Sequence, residues 1–265
     1  MWTQLMFVVL GTGAYLNMKP ECDQSLKRHY IPFEGISSRW HDGFERFDYV
    51  MDGHTMSITT LMRPADEQFG IGGPQEGERS CVVICPKHPA PGNPWSWRGC
   101  YWDHQPQTEI ELLKRGFHIA YISADANHSP DKYWDSWYAY LTDKHGLSAK
   151  PGFIGMSRGG QFAFRWATSH PDKVSGIYAD NPVMHAAGVE IQPIERLSTL
   201  AKSGVPVMHV QGDLDPALSR EQQEIERRYK TLGGRITVLR PEVEHPRALT
   251  AANVKAAVAF ILSHN

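Results

Sequence analysis

The stretch Phe153-Ile154-Gly155-Met156-Ser157-Arg158-Gly159-Gly160 decides how the rest of the chain is read. It fits G-x-S-x-G, in which a serine stands on a sharp turn between a strand and a helix. Phe153, Ile154 and Gly155 read as the end of a buried strand. From Gly160 to His170, apolar Phe162, Ala163, Trp166 and Ala167 recur at helical spacing, and Pro171 stops the pattern. Such a turn strains the backbone at the serine, so the residues two before and two after it must be small, and Gly155 and Gly159 are. Gly160 lets the helix pack close to the sheet. The pentapeptide alone occurs in many unrelated sequences; the strand before it and the helix after it give it weight.

Working outward, the same strand–helix punctuation continues. Two strands at 44–51 and 54–62 are joined by Asp52-Gly53, a tight-turn dipeptide, and read as an antiparallel hairpin. Cys81-Val82-Val83-Ile84-Cys85 is a continuous apolar run, typical of a strand covered on both faces. The segment 86–99, rich in Pro, Gly and Trp, reads as a long stiff loop at that strand's carboxyl end, where open α/β sheets place function. Downstream, strands are expected at 117–123, 174–179, 205–210 and 235–239. Helices are expected at 106–115, 131–144, 193–202, 218–232 and 249–262, several of them stopped by glycine. A hairpin followed by strand–helix alternation implies a mostly parallel sheet with helices on both faces. No composition break marks a second domain, so residues 21–265 read as one α/β domain.

Bulk properties narrow the function. The 265 residues suffice for one large core, and 41% hydrophobic with 21% charged residues is ordinary globular composition. A net charge of -2 offers no basic excess for phosphates, so no nucleic-acid partner is expected. Cys22, Cys81, Cys85 and Cys100 match no zinc spacing, and no metal or cofactor is expected. Leu5 to Leu16 is apolar but too short to span a membrane, and no Lys or Arg precedes Lys19. Residues 1–20 thus read as a degenerate export signal or an N-terminal extension. This favours a secreted or periplasmic protein, in which a Cys22–Cys100 disulfide is open.

A serine hydroxyl needs a base to take its proton and a carboxylate to orient that base. His245 stands between the last strand and the last helix and is the candidate base. In Gln211-Gly212-Asp213-Leu214-Asp215-Pro216, Asp215 is preferred as the acid because it stands further past the strand. Asp213 and Asp180 are the alternatives. The developing oxyanion needs two preorganised N–H donors. One is expected from Arg158, whose side chain also brings a positive charge, and the other from His88 in the loop after 81–85. Trp95, Trp97, Arg98 and Trp102 are the candidate substrate contacts, the tryptophans as faces for a sugar. Trp134 and Trp137 fit a sugar face and core packing equally.

Taken together, Gly155–Gly160, Gly212-Asp213-Leu214-Asp215-Pro216 and His245-Pro246 make nearly the whole chain resemble an α/β-hydrolase. The stretch Lys87 to Glu109 is similar to bacterial α/β-hydrolases predicted as esterases and found among carbohydrate-degrading genes. Ser157-Arg158 resembles the pair in glucuronoyl esterases, whose longer motif is not matched. The resemblance implies a serine esterase acting through an acyl-Ser157 on a small-molecule or saccharide ester. The short connection 181–192 implies little or no lid. A peptidase or amidase using the same triad, and a non-catalytic binding protein of the same fold, are the competing readings.

Overall fold

The computed structural model describes residues 29–60, 77–123, 132–185, 192–212, 216–240 and 250–265. Apolar runs bounded by turn residues become strands, and they assemble into a single sheet. β1 (Ser37–Trp40), β2 (Phe44–Met51) and β4 (Arg79–Cys85) lie in that order at one side, with β3 (Ile58–Thr60) pairing off β2. Next come β6 (His118–Ile122), β5 (Trp95–Gly99), β7 (Gly152–Met156), β8 (Gly176–Asp180), β9 (Val207–Val210) and β10 (Ile236–Leu239). From β6 onward every pairing is parallel, and the hairpin at β2–β3 is antiparallel as expected.

β4 runs against both of its neighbours, pairing antiparallel with β2 and with β6. Its carboxyl end therefore lies at the opposite edge of the sheet from the carboxyl ends of β5 to β10. The strand order also doubles back. The chain passes from β5 to β6 on one side and then to β7 on the other side of β5. The crevice beyond the ends of β5 and β7 is thus the switch point at which sheets of this kind bind ligands.

Helices cover both faces. α2 (Lys132–Ala139, prolonged by a π-helical turn 140–144), α3 (Arg158–Ser169), α4 (Leu197–Lys202) and α5 (Pro216–Thr231) cover one. There Trp134, Phe162, Trp166, Leu200 and Ile225 pack on Trp97, Phe153 and Ile177 of the sheet. α1 (Gln107–Leu113) and α6 (Ala251–Leu262) cover the other, packing on Val82, Ile119 and Ile154. A strand buried on both faces cannot show polar alternation, which is why β4, β6, β7 and β8 read as apolar runs. Cys81, Cys85 and Cys100 are free thiols, whereas Cys22 and the suggested export segment lie outside the described residues. Among the described residues, no helix is long and apolar enough to cross a membrane.

Candidate active site

Ser157 joins β7 to α3 with φ 51° and ψ -116°, a conformation that L-residues adopt only when their surroundings impose it. The backbone around it is pinned. Its N–H donates to the Asp180 carbonyl (2.8 Å), and its own carbonyl accepts from Gly160 N (3.1 Å) and Val183 N (3.1 Å). Small residues are required here by contact. A Cβ on Gly155 would lie 2.5 Å from the Gly159 carbonyl carbon, and one on Gly99 would lie 2.5 Å from the Gly159 oxygen. A Cβ on Gly160 would strike the Pro182 ring. The serine is left half-buried with Arg158 exposed beside it.

The second wall of the crevice is the loop leaving β5. Cys100, Tyr101, Asp103 and Gln105 all take positive φ, at 53°, 48°, 60° and 51°. The Tyr101 phenol lies close enough to Ser157 and Arg158 for both to influence its ionisation. Burial pushes the Tyr101 phenol pKa up, while the Arg158 charge and the nearby Ser157 oppose that rise. Tyr101, absent from the sequence candidates, thus belongs to the surroundings of the serine.

This geometry corrects the placement of His88. Because β4 is antiparallel to β6, the loop after it lies at the amino end of the parallel strands, away from Ser157. There the Ala90 N–H donates to the Gly116 carbonyl (3.0 Å), just ahead of β6. The wall that faces the serine is instead the loop after β5. The expected substrate contacts move as well. Residues 95–99 form a strand instead of the expected loop. Trp97 lies in the core with its ring 4.8 Å from Trp134 and 5.2 Å from Phe153, and Trp95 packs beside it at 5.3 Å. Trp102 is buried on the opposite face against Trp40 and Tyr121. Every tryptophan among the described residues is buried, Trp134 and Trp137 included. Arg98 is buried too and pairs with Glu109.

Asp180 ends β8 in register with Met156, one strand over from the serine. Its carboxyl borders a small cavity of about 20 Å³, also lined by Arg98, Thr108, Glu109 and Tyr178. That is roughly the space one water occupies. Burial raises the Asp180 pKa to about 6, with the Asn181 hydrogen bond and the Arg98 charge pulling it back. Asn181, at φ 42°, donates from its side chain to Asp180 (2.6 Å) and accepts from the Gly212 N–H (3.0 Å). It thereby ties the end of β8 to the start of the loop that carries the other two candidate acids. Asp213, Asp215 and His245 lie outside the described residues. No group of three or more metal-ligating side chains comes together among the described residues.

No family model and no curated protein sequence matches the chain. Solved structures do match in shape. A ferulic acid esterase superposes with a TM-score of 0.54 at 16% identity, over 70% of this chain and 93% of that one. S-formylglutathione hydrolase (FrmB) from Staphylococcus aureus gives 0.56 at 15% identity, over 70% and 90%. A thermostable esterase gives 0.54 at 12% identity, over 83% and 72%. At these identities the likeness is one of fold, and the chain has the α/β-hydrolase fold.

Proposed function

We propose that this chain is a serine hydrolase of carboxylic esters, working through an acyl-Ser157 intermediate. The observation that carries the reading is the strained serine, held half-exposed at the switch point between β5 and β7. Nothing in the packing needs a serine at φ 51°; a nucleophile that must stand clear of the sheet does. The structural neighbours named as esterases support the same reaction class.

In this mechanism His245 takes the Ser157 proton as the hydroxyl attacks the ester carbonyl, and Asp215 orients and stabilises the imidazolium. The tetrahedral oxyanion is held by two backbone N–H groups, that of Arg158 and one from the loop after β5. The exposed Arg158 side chain adds positive charge near that oxygen. His245 then protonates the leaving alcohol, and a water activated by the same base releases the acid. The buried tryptophans withdraw the aromatic support for a saccharide, so the proposal is a small carboxylic ester, with sugar esters as one arm of the test.

The test is labelling by a fluorophosphonate combined with hydrolysis of p-nitrophenyl acetate, acetylated sugars and methyl uronates. Wild type is expected to be labelled at Ser157 and to cleave at least one ester, and Ser157→Ala to lose both. Turnover of aminoacyl anilides but not esters would point to an amidase. An unlabelled wild type would return the chain to the binding-protein reading.

A further inference from the structure

The buried guanidinium of Arg98 grips the backbone of the loop facing Ser157. Nε donates to the Cys100 carbonyl (3.3 Å), and Nη2 donates to the carbonyls of Tyr101 (3.2 Å) and His104 (2.7 Å). Nη1 donates to Glu109 Oε1 on α1, in an ion pair whose side chains are only 5% and 3% exposed. A planar fork of donors suits this task, because several acceptors are met at fixed angles at once. Removing two charges from water is unfavourable, and a surface helix such as α1 needs no buried glutamate for packing. The pair is explained by what it holds.

What it holds is a peptide orientation. In a trans peptide the C=O and N–H point in opposite directions. Arg98 lies on the face of the sheet covered by α1 and draws the Cys100 carbonyl toward itself. The N–H of Tyr101, on the other side of the same peptide, is therefore turned away from Arg98, toward the side where α3 begins. That N–H has no acceptor among the described residues. A Cβ added to Gly159 would lie 2.0 Å from the Gly99 carbonyl oxygen and 3.5 Å from the Cys100 Cβ, so this stretch of backbone sits against the turn that carries the nucleophile. Cys100 and Tyr101, on either side of this peptide, both take positive φ.

We infer that Arg98 is a positioning residue: it holds the Cys100–Tyr101 peptide so that the Tyr101 N–H, with that of Arg158, faces the oxyanion formed on Ser157. The inference rests on the ester-hydrolase reading above and assigns its second oxyanion donor. Glu109 acts one step further back, fixing the guanidinium by its ion pair.

Two variants of the full chain test it, with active sites counted by fluorophosphonate labelling. Arg98→Lys keeps the charge against Glu109 but loses the fork. Loss of one oxyanion donor lowers kcat by ~10²-fold, and that is the fall expected per labelled site on p-nitrophenyl acetate, with KM little changed. The affinity of a trifluoromethyl ketone, which binds as the tetrahedral adduct, is expected to fall in parallel. The double variant Arg98→Met/Glu109→Leu removes both charges together, so it leaves no uncompensated ion to unfold the chain, and the same losses are expected. Unchanged kcat per labelled site in either folded variant overturns the proposal. So does a rise in KM alone, which would make Arg98 a substrate contact. Failure of wild-type labelling at Ser157 is a different result and would refute the ester reading itself.

Discussion

The two ends of the parallel strands turn the chain with different residues. At the amino end, glycines do the work. α1, the turn after α2, α4 and α5 are each followed by a glycine at positive φ, namely Gly116, Gly146, Gly204 and Gly233. A glycine there ends a helix without strain. The non-glycine positive-φ residues of that end, Asp42 and Asn93, belong to the two types that tolerate the left-handed region best. At the carboxyl end Asp103 and Asn181 are of these types too, but the same backbone is also forced on Cys100, Tyr101, Gln105 and Ser157. Each such residue costs about 1–3 kcal/mol. That end also buries an Arg–Glu pair to hold one of its loops. One end is built for folding; the other holds groups at angles that folding alone would not select.

The largest expected effects test whether the carboxyl end is the reacting one. Asp215→Asn should lower kcat by about 10⁴-fold, the factor seen when a triad acid is neutralised. Asp180→Asn should stay within tenfold of wild type, because its carboxyl faces the cavity beneath the elbow. If Asp180→Asn is the crippling change in steady-state assays, the acid is Asp180.

A pair of glycine substitutions compares the ends directly. At Gly159 an added Cβ would collide with the Gly99 carbonyl, driving α3 away from β5. Gly159→Ala should destabilise by about 1–3 kcal/mol, as overpacking does, and lower kcat with it. At Gly204, φ is +69° and nothing lies within 4 Å of the added methyl. Gly204→Ala should cost about 1–2 kcal/mol from backbone strain alone and leave kcat per labelled site unchanged. Chemical denaturation and esterase assays on the two proteins read both quantities. Equal effects on kcat would erase the distinction between the ends.

The last effect is electrostatic and leaves the chemistry untouched. The Asp180 pKa is raised from 3.8 to about 6 in the folded protein, so the native state holds a proton that the unfolded chain has lost. Ionising this buried carboxyl destabilises the fold, and the loss builds as pH rises from about 4 to 6 and is complete above that. A shift of this size corresponds to about 2–3 kcal/mol. Asp180→Asn should therefore gain stability relative to wild type between pH 4 and pH 7.5, measured by urea unfolding. A difference that is flat with pH would mean the carboxyl is ionised throughout.

The sequence by itself determined the elements and their order. The expected helices and the strands from β6 onward fall within a few residues of their observed bounds, because local chemistry carries them: glycine stops, Pro171 after α3, and apolar periodicity. The elbow was equally legible, since a strand, a strained serine and small flanking residues lie within eight positions. β5 was misread although its signal was present. Trp95 and Trp97 alternate with Ser96 and Arg98 at the period of a strand, just after Pro94. Pro91, Gly92 and Pro94 masked it, and Arg98 was read as a substrate contact because nothing local announces a helix on both sides.

The tertiary structure alone decided the direction of β4, and with it the distance of His88 from the serine. A continuous apolar run says that a strand is covered on both faces; it does not say which way the strand runs. Direction is set by pairing with β2 and β6, which are remote in the chain. The surroundings of Tyr101, Arg98 and Asn181 were decided in the same way. Each makes hydrogen bonds to a neighbouring strand, helix or loop, and those partners meet only once the sheet has doubled back at β5 and β7.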